Sequence, residues 1–202
     1  MAVKIEIRGN ADFRRALRRF TPDLEKELKK ELAAALRPVV KQARGFVPQD
    51  SPMSGWAGRS FSEGKFPTYN AATIIKGITY KTTPSAINEN GFTSMASIQN
   101  RSRVGAIYES AGRNGDQGQP WVGAKTGSKS NKVSKSTNRG AGAQFIKNLP
   151  PLTSSLKGRG RLIYRAWANS QGKAEGAALK AIDTAINKFE AAQSKGALKA
   201  AA

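Results

Sequence analysis

Residues 21–48 read TPDLEKELKKELAAALRPVVKQARGFVP, and their spacing decides the fold. Leu24, Leu28, Leu32, Leu36, Val39, Ala43 and Phe46 recur at intervals of three and four, which puts them on one face of a helix and predicts a long amphipathic α-helix ending near Pro48. Thr21-Pro22-Asp23 reads as its start, with Thr as N-cap, Pro at the first helical position and acids in the first turn where the helix dipole favours them. Glu25, Lys26, Lys29, Lys30, Lys41 and Arg44 fall on the other face, expected to be solvated. Pro38 lies inside the pattern, and its missing donor predicts a kink or interruption there.

Upstream, Val3, Ile5 and Ile7 alternate with Lys4 and Glu6, the period of a half-buried strand, closed by Gly9-Asn10. A short helical turn over Asp12 to Phe20 follows. Downstream, residues 49–67 read as an irregular loop with hydrophobic anchors at Trp56, Phe61 and Phe66. Thr73–Thr82 and Gly91–Gln99 are β-branched and aromatic enough for strands, and Asn88-Glu89-Asn90-Gly91 supplies turn chemistry for an antiparallel pair. Val104–Ser110 is too short for periodicity to choose between helix and strand.

Beyond Ala111 the composition changes. Residues 112–143, including GAKTGSKSNKVSKSTNRGAGA, are dominated by Gly, Ser, Asn, Lys and Thr and bury too little apolar surface to offset ordering, so they predict a long mobile basic arm. Arg161–Ala168 reads as a packed segment, helix favoured over strand. Gly172 separates it from a closing amphipathic helix over Lys173–Gln193, striped by Ala178, Ile182, Ala185, Ile186 and Phe189, with a fraying tail after it. The sum is an α+β chain: long N-terminal and C-terminal amphipathic helices packed on a small antiparallel sheet, residues 1–111 and 144–202 forming one domain and 112–143 an inserted arm.

The 202-residue chain contains no Cys and no His, and carries 34 Lys and Arg against 14 Asp and Glu, a formal charge of +20. Without His or Cys, the common nucleophile–base pairs and the cysteine-based zinc sites are impossible, and the acids stand in no ligand spacing; no catalytic residue, metal or cofactor is expected. The opening MAVKIEIRGNADF has no apolar core of a leader, and no apolar run is long enough to span a bilayer, so the expected product is cytoplasmic with no membrane partner.

The excess charge predicts a polyanion or an acidic protein surface as partner. No acid occurs between Asp116 and Glu175. Within that stretch Lys125, Lys129, Lys132, Lys135 and Arg139 are the candidate contacts, with Trp121 placed to stack on exposed bases. The same arm fits equally an extension that orders on a neighbouring subunit, or a solubilising loop with no partner. Gly158-Arg159-Gly160-Arg161 is discounted as a phosphate loop, because it lacks the Lys-Ser/Thr ending and a preceding strand.

Several short motifs occur in an order that resembles the neck or tail-completion (head-tail connector) family of long-tailed bacteriophages, typified by the phage HK97 connector protein. They are Ala43 to Pro48 at the end of the long helix, Ser54-Gly55 and Arg59-Ser60 after it, and Ile107-Tyr108-Glu109-Ser110-Ala111-Gly112 beyond the strands. An aromatic-apolar segment before the closing helix is matched by Phe145-Ile146 or Leu162-Ile163-Tyr164. The insertion Gln49–Met53 and the arm after Gly112 exceed the family pattern. The resemblance implies a non-enzymatic structural virion protein made in the host cytoplasm. It would form a ring, commonly hexameric, between neck and tail-tube neighbours, with DNA passing through its lumen. The alternative is a free-standing basic, architectural nucleic-acid-binding protein.

Overall fold

A computed structural model of the chain describes residues 2–8, 10–53, 55–57, 66–86, 89–90, 92–116, 138–155 and 157–200. Among them the architecture is α+β. In chain order the elements are β1 (Ala2–Arg8), α1 (Asn10–Phe20), α2 (Pro22–Gly45), α3 (Ala71–Gly77), β2 (Ile78–Lys81), β3 (Phe92–Asn100), α4 (Arg103–Ser110), α5 (Ala141–Lys147), β4 (Thr153–Ser155), β5 (Gly158–Gly160) and α6 (Ile163–Ala200). They divide into two compact units: residues 42–79 with 100–168, and residues 2–41 with 80–99 and 169–202.

The second unit holds the helical stripe and the main sheet. Leu28, Leu32 and Leu36 of α2 are buried together with Leu17 of α1, and Ala178, Ile182 and Ala185 of α6 are buried at the spacing expected of an amphipathic helix. The sheet runs in the order β1-β3-β2. β1 pairs antiparallel with β3, from Ala2 opposite Gln99 to Arg8 opposite Phe92, with a register shift between Ile5 and Glu6. As the central strand, β3 buries Thr93, Ser94, Met95 and Ala96 in succession, which requires cover on both of its faces.

The first unit is built around aromatic residues and short helices. Trp56 is fully buried, with its ring 5.2 Å from Tyr69, 6.2 Å from Phe66 and 5.0 Å from Phe145 of α5. Its indole N–H donates to the Pro67 carbonyl at 2.9 Å, so the ring is satisfied as well as packed. The hydrophobic anchoring expected of this loop is present at Trp56 and Phe66; Phe61 lies outside the described residues.

Several expectations are corrected. Residues 73–77, read as the first half of a strand, belong to helix α3, and only Ile78–Lys81 is extended. The Asn70 side chain accepts from the Thr73 N–H at 2.8 Å and caps α3, which outweighs the β-branched preference of Thr73-Ile74-Ile75. Val104–Ser110, left open, lies in helix α4, capped by Ser102 accepting from the Gly105 N–H at 3.1 Å.

Pro38 does not interrupt α2, whose hydrogen-bonded run continues to Gly45. Gly172 does not separate two segments either, since α6 is continuous from Ile163, and the expected end near Gln193 is passed before the helix stops at Ala200. Helix α2 begins at Pro22 as its sequence implies, but the Thr21 hydroxyl takes no partner among the described residues. The Thr21 backbone carbonyl accepts from Leu24 instead.

Of the expected arm, residues 141–143 belong to α5, and 112–116 form turns. Residues 117–137, with Trp121, Lys125, Lys129, Lys132 and Lys135, lie outside the described residues, as do Asn88 and Gly91 of the expected hairpin turn. No helix among the described residues is long and apolar enough to cross a membrane.

Two glycines in helices test this packing in opposite directions. A β-carbon at Gly105 would lie 2.2 Å from the Asn100 side-chain nitrogen, whereas at Gly172 it would meet nothing within 4 Å. Gly105→Ala should lower unfolding stability by about 1–3 kcal/mol through overpacking. Gly172→Ala should raise it by ~1 kcal/mol by restoring helix propensity. Chemical denaturation of the two variants beside the parent chain checks both signs.

Candidate functional site

The ionic groups that the fold draws inward form two constellations, one in each unit. In the first unit, Glu109 is fully buried near the C-terminal end of α4. Its Oε1 accepts from the Tyr164 N–H at 3.0 Å and its Oε2 from the Leu162 N–H. These backbone donors stand at the start of α6, where no preceding turn supplies carbonyls, so a carboxylate from a different helix caps α6 from 53 and 55 residues away in sequence.

Arg161, 4% exposed, does the converse. Its guanidinium donates to the carbonyls of Tyr108 at 2.9 Å and Ala111 at 2.8 Å, groups that the end of α4 leaves without helical partners, and also to the Pro150 carbonyl. Each helix end is therefore closed by a charged residue belonging to the other. Gly112 stops α4 with φ +83°, a conformation other residues rarely adopt.

Room for the arrangement comes from β5. A β-carbon at Gly160 would lie 2.2 Å from Glu109 Oε1, so a side chain there would displace the capping carboxylate. Gly158, at φ +136°, turns the β4–β5 hairpin against the Tyr164 ring. The hairpin pairs Thr153 with Gly160 and Ser155 with Gly158. The Gly158–Arg161 run is thus strand β5 followed by a helix cap; a strand, β4, does precede it, contrary to the expectation, while the Lys-Ser/Thr ending of a phosphate loop is missing.

Burial raises the Glu109 carboxyl above the ordinary carboxylate pKa, while the N–H donors of Tyr164, Leu162 and Ile163 and the nearby Arg113 charge pull it back. Burial likewise lowers Arg161, opposed by Tyr108 and Glu109. For Tyr69, burial is the main cause of a pKa raised to about 12, and its hydroxyl donates to the Pro48 carbonyl.

In the second unit, Arg14 of α1 is 1% exposed and donates to the Thr82 carbonyl at 2.9 Å. Its Nε is 3.9 Å from Glu25 Oε1, which also takes Arg18 Nε at 2.9 Å and Lys29 Nζ at 3.2 Å. Glu25, assigned by the sequence to a solvated face, is therefore a correction: it is buried beneath three cations. Burial tends to raise its pKa, but hydrogen bonds from Arg18 and Lys29 hold it below the ordinary value. Arg44 of the same expected face is tied as well, donating from Nε and Nη2 to the Ile78 carbonyl.

Of the sequence-predicted contacts, Arg139 is exposed in the turn before α5, and the other five lie outside the described residues. The structure instead joins two motifs that stand apart in sequence, 107–112 and 158–164, through Glu109 and Arg161. All hydrogen bonds of these two side chains end on backbone groups, which makes this constellation architectural. Among the described residues no three carboxylates gather where they could hold a metal.

Glu109→Ala should cost about 3 kcal/mol of unfolding stability, from two buried donors left without an acceptor. The pH dependence has a definite sign. Because the folded-state pKa is raised, titration of Glu109 contributes stability that is full below the ordinary carboxyl range and is lost as pH rises through the raised value. Glu109→Gln should remove that component, so the stability difference between parent and variant should change across that window, measured by denaturant titration at a series of pH values. Compared with known protein families, curated proteins and solved structures, the chain matches none.

Proposed function

We propose that the chain is a structural virion protein of the head-tail connector of a long-tailed phage, forming a ring that completes the tail or joins it to the head. The observation that carries this reading is the use made of one motif residue and of the residue that precedes another motif. Glu109, in the Tyr-Glu-Ser-Ala-Gly segment of the resemblance, and Arg161, just before Leu162-Ile163-Tyr164, act on each other's helices through main-chain hydrogen bonds. Residues that recur in order for an architectural reason suit a protein whose work is to hold a shape among neighbours, with no reaction to perform.

The charge distribution fits the same role. The first unit carries 17 Lys and Arg against 4 acids, and the second 17 against 10. A surface so weighted docks on acidic neighbouring rings or lines a channel crossed by DNA. The same observation favours the second reading, an architectural nucleic-acid-binding protein. Deleting residues 125–140 separates them: nucleic-acid retention is lost under the second reading, whereas assembly is what suffers under the first.

Electron microscopy and light scattering of the purified chain test the proposal. The expected result is closed rings, commonly of six copies, whose association with neck partners weakens as salt rises. A strict monomer that joins no phage particle would overturn the reading. Association indifferent to salt between dilute and molar concentrations would overturn its electrostatic part.

A further inference from the structure

The arginines of the first unit are held in an unusual way. All six ion pairs found within 4 Å among the described residues lie in the second unit. In the first unit Arg44 is fixed by the Ile78 carbonyl, Arg165 stacks 4.1 Å from the centroid of the Phe46 ring, and Arg113 stacks 4.8 Å from that of Tyr164. Neutral carbonyls and ring faces orient a guanidinium without cancelling its charge.

One place concentrates this effect. Arg113 Nη2 donates to the Arg159 carbonyl, which fixes Arg113 beside strand β5. The Arg159 side chain is exposed at the middle of that strand, and Lys157 is exposed in the turn that leads into it. Because Gly158 lies against the same Tyr164 ring on which Arg113 stacks, the hairpin tip and Arg113 share one aromatic support. Lys157 and Arg159 thus sit on a short hairpin with Arg113 beside it, backed by a buried tyrosine; among the described residues none of the three has a carboxylate within 4 Å, and Glu109 feels the Arg113 charge only from farther away.

We propose that the β4–β5 hairpin, through Lys157 and Arg159 with Arg113 beside them, is a contact surface for the phosphate backbone of duplex DNA. The choice of DNA over an acidic protein rests on charge pattern. Protein surfaces mix signs, and a site that fits one usually carries some acids to match; this hairpin lies within the acid-free stretch between Asp116 and Glu175. A uniform polyanion requires no such matching, and its affinity comes from counterion release. The proposal holds for DNA met inside a ring or free in solution, so it goes beyond the connector reading and does not stand or fall with it.

The test is the salt dependence of binding of the full chain to a random-sequence duplex. Each lost phosphate contact lowers the slope of log Kobs against log salt by about 0.9. The double variant Lys157→Gln with Arg159→Gln should therefore lower the slope by about 1.8, while Lys173→Gln with Lys180→Gln, which removes equal charge from exposed positions of α6, should leave it unchanged. An unchanged slope in the hairpin variant, or an equal fall in both variants, overturns the proposal. So does a hairpin variant that keeps the parent slope on DNA but loses binding to polyglutamate, which would assign the surface to an acidic protein. Light scattering on the same samples reads ring formation separately, so failure of the connector reading is distinguishable from failure of this one.

Discussion

The first unit depends on one exchange: a carboxylate at the end of α4 closes the start of α6, and a guanidinium at the start of α6 closes the end of α4. Helix ends leave backbone groups without partners, and a buried end cannot leave them to water. Local capping residues normally meet this need within one turn. Here the caps come from 50 to 55 residues away, so neither end is complete until both segments are in place. The two helix ends are thereby obliged to form together.

Burying a carboxylate and a guanidinium carries a desolvation cost, and an apolar pair of similar volume would often be no less stable. What the two charged side chains supply is specificity. Glu109 accepts at two oxygens and Arg161 donates to three carbonyls, so a shifted register of α6 against α4 would leave several of these groups unsatisfied at once. Gly160 enforces the same geometry from a third side, since any side chain there would occupy the place of the carboxylate.

How far this could be read from sequence follows from the range of each interaction. The stripe of α2, the strand β1, the α1 segment and the apolar face of α6 are periodic within short windows, and they appear where the spacing puts them. Helix α3 was hidden because Thr73-Ile74-Ile75 favours a strand and the deciding cap is a single Asn70 side chain. The continuity of α6 through Gly172 was hidden because a helix 38 residues long tolerates several poor helix formers, Gly172, Gly176 and Gly196 among them. Glu25 gave no local signal of burial: its position on the helix is polar by pattern, and it is the cations of α1, together with Lys29, that enclose it. Glu109 stands in a motif of the resemblance and Arg161 in the run discounted as a phosphate loop, but the bonds each makes to the other's segment left no trace in any window.

The same distinction governs the charge. Sequence arithmetic treats every acid as a potential neutraliser of nearby bases, yet an acid used inside the fold is withdrawn from the surface. Glu109 is one of only four acids in the first unit, and its carboxylate faces backbone donors in the interior. Arg161 is withdrawn with it, but Arg113 and Arg165 are supported by rings and keep their full charge. The acid-free stretch after Asp116 thus has a structural counterpart in its described part. Its anchored cations are oriented by neutral groups and make no ion pair within 4 Å among the described residues, the Glu109 carboxyl feeling the Arg113 charge only from farther away.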